Sequence, residues 1–227
     1  MARQLSLDLT PAPQGGPADF IVTDSNVAAH AAVLGDTPWP QGKLWLAGPE
    51  SCGKTHLARL WAARHGATLL PAAALPTALA GTLPPPGAAI LVDALDTLSG
   101  RAEETLFHLH NHLAATGGLL LMTARTPPAR LPVALPDLAS RLQATALVQI
   151  ADPDDRLLAL LLARHFADRH ILPSAGLIPW LLTRIERSHA AVLATVDLLD
   201  RTALDQGRAI TRDFARTVLD NSADPAR

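Results

Sequence analysis

The chain has 227 residues, 48% of them hydrophobic, and a formal net charge of -2, which suits one well-buried domain with an appendage and excludes a disordered protein. Only two lysines, Lys43 and Lys54, and no basic tail are present, so direct nucleic-acid binding is not expected. A single cysteine, Cys52, no apolar run of membrane-spanning length and no signal-like N-terminus point to a reducing, cytoplasmic setting without a membrane partner.

In chain order, "RQLSLDL" at residues 3–9 places Gln4, Leu5, Leu7 and Leu9 ahead of a stretch rich in Pro and Gly over 10–19, which reads as a linker. Apolar side chains on such a tail have no core of their own to enter. "TDSNVAAHAAVLG" then offers Ser and Asn caps before a small apolar helix closed by Gly35. "KLWLAG" reads as a short strand, "KTHLARLWAARHG" as a helix, and "ATLLP" as a second strand. "AAILVD" and "GLLLMTA" are apolar runs suited to parallel strands buried on both faces, with a helix over 102–115 between them. "ALVQIA" at 146–151 supplies a fifth strand. Strands alternating with helices predict an α/β fold with a five-stranded parallel sheet. After Pro153 four helical segments follow without strands. The expected organisation is a tail over 1–19, a nucleotide-binding α/β domain over 20–152 and a small all-helical lid over 153–227.

"GPESCGKT", Gly48, Pro49, Glu50, Ser51, Cys52, Gly53, Lys54 and Thr55, is the strongest local signal. It matches the phosphate-binding loop G-x-x-x-x-G-K-[ST] and stands after a strand and before a helix, as that loop requires. Its glycines allow the backbone to turn amides inward, and the helix N-terminus adds partial positive charge. Lys54 is placed to reach the β/γ-phosphates of ATP or ADP, and Thr55 to hold Mg²⁺. Asp93, closing "AAILVD", is the second magnesium contact expected at the carboxyl edge of the sheet. Cys52 reads as a filler of the loop. Glu104, His108 and His112 recur at helical spacing, but no further ligand completes a metal site, so they read as a polar helix face.

The order of these parts resembles the AAA+ ATPases, and among them the replication-initiator (DnaA) group. "DSNVAAHAAV" is similar to that group's adenine-side segment, which places Asn26 beside the nucleotide. "TARTPPARLPVALPDLASRL" resembles the stretch after its sensor strand, and "LPDLASRL" together with "QLSLDL" is similar to the Hda family, relatives that inactivate the initiator. The resemblance runs from Gln4 to about Leu219. It implies that Gln4, Leu5, Leu7 and Leu9 dock on the DNA polymerase sliding clamp, as an extended segment offering leucines to an apolar pocket. It also implies that Arg141 is an arginine finger acting in trans on ATP held by DnaA, and it leaves room for a homodimer. The initiators' C-terminal DNA-reading helices are not matched, which suggests a nucleotide module alone.

The sequence departs from the family at three points. Ala94 stands where an acid often follows the Asp93 equivalent, and Asp96 is near only in sequence. "TART" has no acid, leaving Thr123 and, beyond it, Arg125. Ala190 falls where a sensor arginine would stand, with Arg187 three residues out of register. A site without these groups is expected to hold nucleotide, ADP as in Hda, and to hydrolyse it poorly, because orienting water and stabilising charge is most of phosphoryl transfer. The implied function is negative regulation of chromosomal replication initiation. The alternatives are a helicase loader driven by its own ATPase and a non-catalytic clamp adaptor. The bland reading of Arg141 is an i–4 ion pair with Asp137.

Overall fold

The computed structural model describes residues 20–223. Gln4, Leu5, Leu7 and Leu9 lie outside the described residues. Strands β1 (Lys43–Ala47), β2 (Thr68–Pro71), β3 (Ala89–Asp93), β4 (Leu119–Ala124) and β5 (Ala146–Gln149) form one sheet in the order β2-β3-β4-β1-β5. Every pairing is parallel. The expected five-stranded parallel sheet is therefore present, each strand starting or ending within two residues of its apolar run.

Burial explains why these runs become strands. All five residues of β1 are buried, as are five of the six in β4, because the two occupy inner places in the sheet and have packing on both faces. One face carries a core built around Trp45, Val92, Met122 and the α4 leucines Leu106, Leu109 and Leu113, where α4 is Arg101–Thr116. The other carries Leu44, Leu46, Leu91 and Leu121 against Leu57, Ala58 and Trp61 of α2 (Lys54–His65). Successive side chains of β1 thus alternate between the two cores, as the two-residue strand period requires.

Helix α1 (Val27–Leu34) precedes β1, while α3 (Leu75–Ala78) and α5 (Pro136–Gln143) complete the covering of the sheet. Helices α6 (Asp155–Asp168), α7 (Leu177–Leu182), α8 (His189–Gln206) and α9 (Arg212–Ala223) enclose a separate core of Leu158, Leu162, Phe166, Leu181, Val196 and Phe214.

Residues 20–26 join the two units. Phe20 packs on the sheet core and Ile21 on the helical one. The Ala151 N–H donates to the Ser25 carbonyl at 3.0 Å, and the Ser25 N–H donates to Asp154 Oδ2 at 3.2 Å. Asp154 also caps α6, accepting from the Leu157 N–H at 2.7 Å. One carboxylate therefore holds both the first turn of the helical unit and the segment that enters the sheet unit. Burial favours its neutral form, but the N–H groups of Leu157 and Ser25 and the hydroxyls of Thr23 and Ser25 outweigh that and hold its pKa below the usual 3.8. Arg187 fastens the same junction from α8's side, donating to the Pro153 carbonyl at 2.9 Å and to Asp155 at 2.6 Å.

Candidate functional site: a phosphate loop at the carboxyl edge of the sheet

β1 delivers the chain to the sheet's carboxyl edge, and residues 48–53 turn it back into α2. Two glycines make the turn possible for different reasons. A Cβ on Gly48 would stand 2.7 Å from the Ile150 carbonyl oxygen and 2.9 Å from Cys52 Sγ, so no side chain fits. Gly53 has φ 98°, in the region that disfavours a side chain. Ser51 adopts φ 56° as well. Cys52 is buried against the second core, and burial pushes its thiol pKa up against the opposing charge of Lys54. That is the environment of a packed, inert thiol.

The charged and hydroxyl groups of the loop converge. The Lys54 ammonium donates to the carbonyls of Gly48 at 2.7 Å and Pro49 at 2.5 Å, which folds it over the loop. Thr55 Oγ1 donates to Asp93 Oδ2 at 3.4 Å. The other oxygen of Asp93 accepts from the Thr123 hydroxyl and from the Ala94 N–H at 3.1 Å. Asp93 and Thr55 thus present hard oxygen donors side by side at the mouth of the loop, the donor type Mg²⁺ takes. Thr123, 1% exposed and brought in by β4, fixes the carboxylate from behind. Among the described residues, no group of three or more His, Cys, Asp or Glu forms a metal site. Within the rejected triad, His112 Nε2–H donates to the Pro84 carbonyl at 2.7 Å.

The groups around this core differ from an acid-equipped ATPase site. Ala94 follows Asp93 in a left-handed conformation, φ 60°, and only its N–H reaches Asp93 and Thr123. Asp96 is turned to the Arg125 N–H, which it accepts at 2.8 Å. The Arg125 guanidinium lies 3.3 Å from Glu50 of the loop. Arg187 is spent on residues 153–155, and Ala190 is an exposed alanine beside His189, whose N–H donates to the Ser51 carbonyl at 3.2 Å. That contact seats the start of α8 on the phosphate loop.

Asn26 is 2% exposed and has both ends of its amide engaged: Oδ1 accepts from the Thr23 N–H and Nδ2 donates to the Ile21 carbonyl, each at 2.9 Å. It stands at the N-cap position of α1 yet makes no side-chain cap bond. The expected cap is replaced by a turn that shapes residues 21–26 beside the loop. Sequence reasoning had no means to see this, since Asn serves caps and turns alike.

Arg141 lies away from all of this. It is exposed on α5, with its guanidinium carbon 5.4 Å from the centre of the Phe107 ring. Among the described residues no ion pair joins it to Asp137. Glu103, which sequence reasoning passed over, anchors the start of α5. It is 6% exposed, and one oxygen accepts from the N–H groups of Ala134 and Leu135 at 2.9 Å each. Its place in the first turn of α4, before an apolar stripe, was the available signal.

No protein-family model matches the chain. Among solved structures, domain III of the Thermotoga maritima replication initiation protein DnaA superposes with a TM-score of 0.78 at 18% identity, covering 93% of this chain and 98% of that one. AMPPCP-bound DnaA from Aquifex aeolicus gives 0.67 at 18% identity, over 81% of this chain and 64% of that one. A Thermotoga maritima RuvB variant gives 0.64 at 16% identity, over 86% and 66%. The chain thus spans nearly all of the isolated domain and about two thirds of the longer proteins. At these identities the likeness is one of architecture: the described residues share the α/β fold of the AAA+ domain of DnaA.

Proposed function

We propose that this protein is a nucleotide-bound negative regulator of replication initiation. Gln4, Leu5, Leu7 and Leu9 hold it on the DNA-loaded sliding clamp, and Arg141 acts in trans on ATP bound to DnaA. The observation that carries the reading is the separation of Arg141 from the chain's own phosphate loop. The α5–β5 connection lies at the amino edge of the sheet, and the loop at the carboxyl edge. An exposed guanidinium, steadied by an aromatic ring and without an ion-pair partner among the described residues, is suited to a neighbour's developing negative charge.

The chain's own site supports nucleotide retention over turnover. Lys54 and the loop amides bind the phosphates of ADP or ATP, Thr55 and Asp93 hold Mg²⁺, and residues 20–26 with the start of α8 close over the loop. The metal would supply charge neutralisation at the phosphates. Asp96 is committed to Arg125 and Ala94 has no side-chain acid, so neither orients an attacking water. The same observations speak against a helicase loader driven by its own hydrolysis.

The test follows ATP preloaded on DnaA, with this protein added in the presence or absence of clamp on DNA. Conversion to ADP accelerated only with clamp supports the reading; no acceleration in either case sinks it. Replacing Gln4 and Leu7 together with alanine should abolish clamp capture and leave nucleotide binding intact, as read by gel filtration with the clamp.

A further inference from the structure

The opposite end of β1 carries a second polar cluster that the phosphate loop does not use. Lys43, the first residue of the strand, is 2% exposed, and its ammonium nitrogen has no hydrogen-bond partner among the described residues. His110, on α4, is 3% exposed, and among the described residues neither of its ring nitrogens has a hydrogen-bond partner. Burial, then the charges of Lys43 and Arg141, push its pKa down to about 4, against a smaller opposite pull from the Asn111 side chain. Burial and Arg141 lower Lys43 as well. Two basic groups are thus shut into one region with a third at its rim, and no carboxylate pairs with any of them among the described residues.

Burying a basic group without an acceptor is costly, and native interiors seldom leave one so. Topology brings the three elements that carry them to one edge. The 39–42 turn enters β1, the turn at Gly117–Gly118 leaves α4 for β4, and α5 leads into β5, all at the amino edge of the sheet. A cavity of about 380 Å³ opens on this edge, lined by Gln41, Gly42, Leu113, Ala114, Gly117 and Gly118. Gly42 precedes Lys43, and Ala114 lies one helical turn past His110. Gln41 and Gly42 both hold left-handed backbone, φ 52° and 69°, to make that mouth.

We propose that Lys43 and His110, with Arg141 at the rim, form a binding site for a compact oxyanion, a carboxylate or phosphate group, on the amino edge of the sheet. The bound oxygens accept from the Lys43 ammonium and from the imidazole N–H, and the anion favours protonated His110. The site is separate from the phosphate loop and does not depend on nucleotide binding there.

The test follows the His110 ring by NMR through a pH titration of the full chain at constant ionic strength, in chloride, in inorganic phosphate and in acetate. Phosphate or acetate should raise the His110 pKa by about one unit or more over its value in chloride. The response should survive in Lys54→Ala, whose phosphate loop is disabled, and disappear in Lys43→Met. A response to phosphate alone assigns a phosphate group, and one to acetate alone assigns a carboxylate such as a partner's acidic side chain. An identical pKa in all three salts, or an equal shift in Lys43→Met, overturns the site. The comparison of salts on the unmodified chain decides the matter even if Lys43→Met does not fold.

Discussion

The two ends of β1 are four residues apart and are finished in opposite ways. At its carboxyl end Lys54, Thr55, Asp93 and Thr123 satisfy one another or the loop backbone, and Asp96 is satisfied by Arg125. At its amino end, among the described residues, the Lys43 ammonium and the His110 ring have no hydrogen-bond partner, and Arg141 lies over the Phe107 ring without an ion pair. A pre-paired site can exchange internal bonds for those to a ligand and stay ordered without it. A cluster left unpaired gains most when the missing charge arrives from elsewhere. On the proposed readings, the carboxyl edge retains a ligand and the amino edge meets one.

The largest effect expected from breaking this contrast is at Arg141. Arg141→Ala should lower the stimulated hydrolysis of DnaA-bound ATP by ~10³-fold or more, with clamp binding unchanged, as read in single-turnover assays. Undiminished stimulation would remove the finger assignment. On the other edge, Lys54→Ala deletes the proposed charge-assisted contact to phosphate. Affinity for a fluorescent ADP analogue should fall by about 100-fold, while the helical content stays as it was.

Glu103 tests whether the amino edge depends on a buried brace. Glu103→Ala removes the acceptor of two N–H groups and should cost about 2 kcal/mol in urea unfolding; it should also weaken stimulation, because α5 loses its anchor. Wild-type stability in this variant would show that the start of α5 is held by packing alone. The smallest effect sharpens the account of the junction. Asp154 has its pKa lowered in the fold, so its contribution is present above the ordinary aspartate value of 3.8 and is lost as pH falls through the folded value. Asp154→Asn should cost about 1 kcal/mol or less near neutrality, and its stability curve should meet that of the wild type in acid. Parallel curves down to the lowest pH would deny Asp154 that linkage.

Much of the carboxyl edge was legible because its signals are local. The loop motif, the strand before it, the helix after it and the acid closing "AAILVD" are contiguous patterns, and a parallel sheet in this strand order brings their ends together. The missing acid at Ala94 was equally plain. What Asp96, Arg187 and Asn26 do instead was hidden, since each is engaged by a partner whose approach depends on the folded chain: Arg125, Pro153 with Asp155, and Ile21 with Thr23.

The amino edge was almost unreadable. Lys43 counted in the sequence as one of two lysines, and no local pattern set His110 apart from the other histidines of its helix. Periodicity showed which residues face inward, and so the five strands and the four helical segments after Pro153, because burial of alternating side chains depends only on local spacing. Which basic groups meet at one edge, and which of them find no acceptor, was decided by tertiary structure. Those facts depend on distances between β1, α4 and α5 that sequence separation does not encode.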